Sequence, residues 1–167
     1  MIDIQSFSDT YTVRRLTEED IPAVVSVCKG NPQFYAYTSF RPDAEQILDD
    51  LYTCPPGKEL TDKYYCGFFH GDELCAVIDV IDGYPDAQTA FIGFFMLKKE
   101  LQGSGEGTRI MEGVYRTLQS SGFAHVRLCI DMGNPQSNAF WAKNGFRILR
   151  AAPGGDDSVW LAEKDLK

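Results

Sequence analysis

The stretch TAFIGFFMLKKELQGSGEGTRIMEGVYRTLQSSGFAHVRLCID, Thr89 to Asp131, decides the fold. It opens on an apolar run, Thr89 to Leu97, which reads as a strand. Lys98 to Gly107 is polar and Gly-rich, and so reads as a loop. Ile110, Met111, Val114 and Leu118 then recur on one face of a helix that stops near Gly122. Ala124 to Asp131 is a further strand. Strand, loop, helix and strand in that order make a crossover, which predicts a right-handed connection and a parallel pair.

Upstream, Tyr64 to His70 and Leu74 to Ile81 are strand-like runs joined by Gly71-Asp72, a hairpin signal. Asp82 to Asp86 makes a second turn into Thr89, so three antiparallel strands precede the crossover. Tyr11 to Leu16 alternates as a first strand. Thr17 is placed to cap a helix whose first turn carries Glu18, Glu19 and Asp20, where the dipole favours acid. Ile21, Val24, Val25 and Cys28 form its apolar face, and Gly30, Asn31 and Pro32 stop it. A second helix is predicted from Pro42 to about Tyr52, with Ile47, Leu48 and Leu51 inward. Pro55, Pro56 and Gly57 make Cys54 to Asp62 a loop. Downstream, Pro135 to Asn144 is a short helix with Gly145 as its left-handed stop. Phe146 to Arg150 is a strand, Gly154-Gly155 a turn and Ser158 to Ala162 a last strand. A chain of 167 residues arranged this way reads as one α/β domain.

The loop Gln102-Gly103-Ser104-Gly105-Glu106-Gly107-Thr108 suits an anion. Small residues let backbone N–H groups approach closely, and the helix that follows presents its positive end. A diphosphate is the expected occupant. Glu106 runs against that charge, and its side chain is expected to face solvent. A dinucleotide loop is the rival reading, since Gly103, Gly105 and Asp131 echo its fingerprint. Three features oppose it: the third glycine is Thr108, Lys98 to Gln102 separates strand from glycine, and antiparallel strands come first. A nicotinamide-dependent oxidoreductase is disfavoured accordingly.

Gln102, Gly105 and Gly107 match Q-x-x-G-x-G, and Asn134 to Phe146, NPQSNAFWAKNGF, is similar to N-x-x-(S/A)-x-x-(F/L)-Y-x-K-x-G-F. In these two motifs, their separation and the element order, the chain resembles the GNAT acetyltransferase superfamily. The resemblance spans nearly the whole chain and is weakest from Gly30 to Asp62. It implies an α+β-type α/β fold: a mixed, mostly antiparallel central sheet with a splayed parallel strand pair and flanking helices. It also implies direct transfer of an acetyl group from acetyl-CoA to an amine, without a metal. The pantetheine arm would lie between Thr89–Leu97 and Ala124–Asp131, pairing with backbone groups near Phe95, Met96 and Leu97. The Phe95 N–H would polarise the thioester oxygen. The loop Gln102 to Thr108 would hold the diphosphate, with Asn134, Phe140, Trp141 and Lys143 lining the cofactor.

Two positions depart from the family pattern. The Glu that serves many relatives as base falls at Phe91, which leaves Asp79, Asp82 and Asp131 as replacements. Asp79 stands out because it interrupts an apolar strand. The Tyr that protonates the departing thiolate is Trp141, whose indole does not titrate. These losses make a non-catalytic acyl-CoA sensor the alternative to an N-acetyltransferase.

The formal net charge of -8 excludes non-specific nucleic-acid binding and an anionic membrane surface as partners. With Asp82 and Asp86 in one turn, it points to a small-molecule or peptide amine acceptor carrying extra positive charge. The five cysteines have no metal-binding or CxxC spacing. Cys66, Cys75 and Cys129 are expected as buried thiols. The beginning, MIDIQSFSDT, lacks a basic-then-apolar pattern, so a cytoplasmic location is expected. Homodimers are common in the superfamily, and no diagnostic stripe marks an interface here.

Overall fold

The computed structural model describes residues 1–152 and 158–166. Its strands are β1 (Thr12–Arg15), β2 (Lys63–His70), β3 (Glu73–Ile81), β4 (Thr89–Leu97), β5 (His125–Asp131), β6 (Arg147–Ala152) and β7 (Val159–Asp165). They form one seven-stranded sheet in the order β1-β2-β3-β4-β5-β7-β6. Only β4 and β5 pair in parallel; the other pairs are antiparallel. The expected mixed sheet with one parallel pair is therefore present. The Gly154-Gly155 turn lies outside the described residues.

Alternation along the central strands builds two cores. Phe68, Ala76, Ile78, Val80 and Ile92 face helix α4 (Glu106–Ser120), which buries Ile110, Met111, Val114 and Leu118 against them. Tyr65, Phe69, Leu74 and Val77 face the opposite way, toward α1 (Ile21–Lys29) and α3 (Ala44–Tyr52). Both faces of β3 are thus covered, which explains its nearly continuous apolar run.

Local signals acted largely as read. Thr17 and Asp20 form a capping box, but over a short 3-10 turn, Glu18–Asp20, from which α1 continues. Asn31 does stop α1, and Pro32 begins a one-turn helix, α2 (Pro32–Tyr35). In α3, Asp43 rather than Pro42 marks the start: its carboxylate accepts from the Gln46 N–H at 2.8 Å. Ile47 and Leu51 are buried there, but Leu48 is exposed, and Gln46 takes an inward position instead. Helix α5 (Pro135–Lys143) is capped by Asn134 and ends before Gly145, which has φ +87°. Cys28, Cys66 and Cys75 are buried, whereas Cys129 is exposed, contrary to expectation. It lies on β5 beyond its last residue paired with β4, and so opens onto a cleft.

Gly113, in the middle of α4, admits the N-terminal 3-10 turn Ile4–Phe7. A Cβ there would stand 2.1 Å from the Phe7 carbonyl oxygen. Phe7 itself is fully buried, and Thr117 Oγ1 donates to the Ser6 carbonyl at 2.8 Å. Alanine favours helices over glycine by about 1 kcal/mol. Crowding a packed site costs about 1–3 kcal/mol. Gly113→Ala should therefore lower the urea midpoint at unchanged slope; a raised midpoint would show that the N-terminal turn yields freely.

Candidate active site

The site begins where β4 parts from β5. The two strands pair only from Thr89↔His125 to Ile92↔Leu128. Past that point β4 pairs with β3 alone and β5 with β7 alone. A bulge marks the divergence: Asp79 opposes Phe94 while Val80 opposes Ile92, so Gly93 is the extra residue. Its lack of a side chain makes room for Asp79 in its present position, since a Cβ would lie 2.8 Å from Asp79 Oδ2.

Strand alternation sets which peptide groups face the gap. The Lys98 N–H donates to the Cys75 carbonyl on β3 at 2.8 Å. Met96 then also faces β3, whereas Leu97 and Phe95 turn toward the gap. Consistently, the Leu97 carbonyl accepts from Gln102 Nε2 at 2.8 Å and from Asn31 Nδ2 at 3.2 Å. Of the three backbone positions expected to meet the pantetheine arm, Phe95 turns both its N–H and its carbonyl to the gap clear of these side chains, whereas the Leu97 carbonyl is already taken. Met96 contributes its side chain to the cavity wall, not its peptide.

The loop after β4 is built for close approach. Gly103 and Gly105 have φ +82° and +84°, and Gly105 precedes the first turn of α4. Gly107 lets the Phe140 ring lie on that turn, since a Cβ would meet it at 2.9 Å. Gln102 holds the loop in place: besides Leu97, its Nε2 donates to Asn31 Oδ1 at 2.6 Å, and its Oε1 accepts from Gln136 Nε2 at 3.2 Å. Thr108 Oγ1 accepts from Asn144 Nδ2 at 3.3 Å, which ties α4 to the end of α5. Ser104 and Glu106 do not line the cavity. The Glu106 carboxylate does not face open solvent as expected; it accepts from Tyr11 Oη and from Arg109 Nε at 2.9 Å. The Arg109 guanidinium holds its pKa below the usual range, so its charge is matched by a cation rather than aimed at the anion site.

Asn134 is buried, and its Oδ1 is committed to the Ser137 N–H at 3.1 Å. Phe140 stacks on Phe95 with centroids 6.1 Å apart, and Trp141 is wedged among Phe95, Phe140 and Phe146. Lys143 is exposed at the cavity edge.

One cavity of about 730 Å³ runs from Gly103 and Gly105 through the gap to the face under α2 and α3. Asp79 and Asp131 both line it; Asp82 and Asp86 do not. Asp82 lies 3.7 Å from the N-terminal ammonium, and Asp86 caps its own turn through Gln88 and Thr89. The acidic turn therefore does not charge the site. Sequence reasoning missed Asn31, Gln46, Asp50, Lys63, Tyr65 and Gly93, which all line the cavity. Lys63 Nζ donates to Asp79 Oδ2 at 2.7 Å. Burial pushes the Asp79 carboxyl up to about 6, and Lys63 pulls against that rise.

A chain that places a glycine-rich helix start beside a parted parallel pair has the layout of an acyl-CoA-dependent transferase. The profile of the acetyltransferase (GNAT) family matches residues 31–146, and the chain belongs to that family. Acetyl-CoA is thus the acyl donor, its acetyl group passing to an amine without a metal, and nothing in the match favours a non-catalytic sensor. No curated protein matches the chain. Among solved structures, an acetyltransferase from Thermus thermophilus is similar, with a TM-score of 0.77 and 23% identity over 93% of this chain and 97% of that one. The PaiA N-acetyltransferase of Thermoplasma acidophilum, solved with coenzyme A, has a TM-score of 0.66 and 19% identity over 92% and 97%. At such identities these likenesses speak for the fold alone. Among the described residues no helix is long and apolar enough to cross a membrane.

The loop geometry yields a direct test. Gly105→Asp puts a carboxylate where the diphosphate is expected and should abolish acetyl-CoA binding by calorimetry. Gly105→Asn also tolerates the left-handed backbone but adds no charge, and should bind more tightly than the Asp variant. Equal affinity in both variants and the parent would remove the loop from the cofactor site.

Proposed function

We propose that the chain acetylates a primary amine by direct transfer, with Asp79 as general base and the Phe95 N–H as donor to the thioester oxygen. The observation that carries this reading is the Asp79 carboxyl, buried in the cavity beside Gly93, where β4 leaves β5. The loop Gln102 to Thr108 holds the diphosphate through backbone N–H groups, and Asn134, Phe140, Trp141 and Lys143 flank the rest of the cofactor.

An alkylamine with pKa of about 10.4 must lose a proton before it attacks. In the reaction, Asp79 takes one ammonium proton, directly or through water, and releases it to solvent; the neutral nitrogen then bonds to the thioester carbon, and the second proton leaves the nitrogen by the same route as the adduct collapses. The C–S bond then breaks and CoA leaves as a thiolate. A base with pKa near 6 is ionised at neutral pH yet still basic enough to take the proton. Asp131, at the end of β5, is the second candidate. Asp79 is favoured because its Oδ1 has no partner within the protein.

The sign of the pH dependence follows from the raised pKa. Asp79 works only when ionised, so kcat/KM should fall below about pH 6 and level off above it. Asp79→Asn should lower the rate by about 10²–10⁴-fold and remove that acid limb. Lys63→Met deletes the cation that opposes the rise and should move the limb to higher pH. An acid limb unmoved by either change would exclude Asp79 as the base.

Trp141 is assigned packing beside the pantetheine, not proton transfer. Trp141→Phe should keep the maximal rate within a fewfold and lose mainly cofactor affinity. Trp141→Tyr should add a basic limb near the phenol pKa of about 10 if thiolate departure limits turnover. Loss of the maximal rate in Trp141→Phe with acetyl-CoA affinity intact would instead assign the indole N–H to the transition state.

A further inference from the structure

The cavity beyond Asp79 holds more carboxylate than its cations can match. Tyr65 on β2 lies directly opposite Asp79 on β3, and Lys63 is two residues along on the same face. Asp50 of α3 lines the same cavity. Lys63 is engaged with Asp79 at 2.7 Å. Asp50 accepts only a neutral donor, Gln46 Nε2, at 3.0 Å. Arg41, at the cavity mouth, is paired with Asp43 at 2.9 Å. Two inward carboxylates thus share one lysine, and burial raises the pKa of both, Lys63 opposing the rise in each case.

Two further atoms point to a ligand. Tyr65 is 4% exposed and Asp79 8% exposed, yet Tyr65 Oη and Asp79 Oδ1 have no partner. Leaving a buried polar atom unpaired costs about 1–3 kcal/mol. An ammonium, with several N–H donors and no acceptor, suits a carboxylate oxygen and a phenol oxygen. Phe34, Tyr35 and Phe94 pack edge to face along this wall, a surface that accommodates methylene groups and attracts cations.

We infer that the acceptor is an aliphatic diamine, with its reacting nitrogen at Asp79 and Tyr65 and its second ammonium at Asp50. This rests on the transferase reading above. An amine bearing a carboxylate would meet uncompensated Asp50, and a monoamine would leave it unmatched.

The test compares diamines from diaminopropane to diaminohexane with butylamine, aminobutanol and aminobutanoate. Acetylation is followed from acetyl-CoA, and binding to the CoA-saturated protein is followed by calorimetry. The best diamine should exceed butylamine and aminobutanol by about tenfold or more in kcat/KM and in affinity, the scale of one charged hydrogen bond. Asp50→Asn should cut that advantage to about twofold or less, with acetyl-CoA affinity retained as evidence of folding. Parity between diamine and monoamine in the parent protein overturns the proposal whether or not the variant folds. So does an advantage that survives Asp50→Asn, or failure of every amine to bind a protein that binds CoA. Failure to bind CoA would overturn the transferase reading itself, and this proposal with it.

Discussion

A peptide group inside a sheet that loses its neighbour must find another partner or bear the cost of going without. β4 and β5 impose that condition on themselves by parting after Ile92 and Leu128. The protein resolves it differently at successive residues. The Leu97 carbonyl is met by Gln102 and Asn31. Phe95 is turned to the same gap without such a plug, so its peptide is the group a strand-like ligand arm can complete. Gln102 is the hinge of this arrangement in a structural sense. Its side chain closes the end of the gap while its backbone begins the loop that leads into α4. The glycine-rich loop and the open strand edge are thereby held at one fixed spacing.

The same divergence creates the place for a buried carboxylate. The bulge sets Gly93 against the Asp79 side chain, and a Cβ there would stand 2.8 Å from its carboxylate oxygen. A buried ion pair such as Lys63–Asp79 gains little net stability, because desolvation offsets the attraction between the charges. Hydrophobic residues would fill the same face, as Val77 and Phe69 do nearby. The His125, Glu163 and Asp165 cluster on β5 and β7 shows the contrast. There Arg127 and Arg147 complete Glu163 at 2.6 and 2.8 Å. That network is satisfied within the protein; Asp79 and Tyr65 are not.

What the sequence revealed and concealed follows from the range of the signals. The loop, both motifs and the strand–helix–strand crossover are local patterns, and the fold and the glycine-rich end of the cavity were legible in them. Lys63 was hidden by register. Counting back from Gly71-Asp72 with regular pairing puts Asp79 opposite Tyr64, on the other face. The irregularity between Phe68 and Phe69 shifts the pairing by one, to Tyr65, and brings Lys63 onto the Asp79 face. Leu48 was misplaced because a three-residue apolar spacing fits two neighbouring helix faces, and Gln46 took the inward one. Asp82 and Asp86 were misread because a local acidic turn carries no information about which way it points.

An indole at position 141 is compatible with turnover once protons are counted. On the proposed reading, the bound ammonium loses two protons, one before attack and one as the amide forms; Asp79 passes each to water in turn, and the thioester releases one thiolate. A thiol of pKa about 8.5 is a far better leaving group than an alkoxide, so the C–S bond can break before sulfur is protonated. Asp79, with its carboxyl near 6, returns its proton to water at neutral pH and is ready again. The acid that a phenol would supply is then a convenience of rate, not a requirement of balance. On that reading the site needs rigidity around the sulfur, and Trp141 is locked against Phe95, Phe140 and Phe146, which gives it more fixed wall than a smaller ring would have. The base and the wall so proposed sit on separate elements, β3 and α5, and meet at the opening that β4 and β5 leave between them.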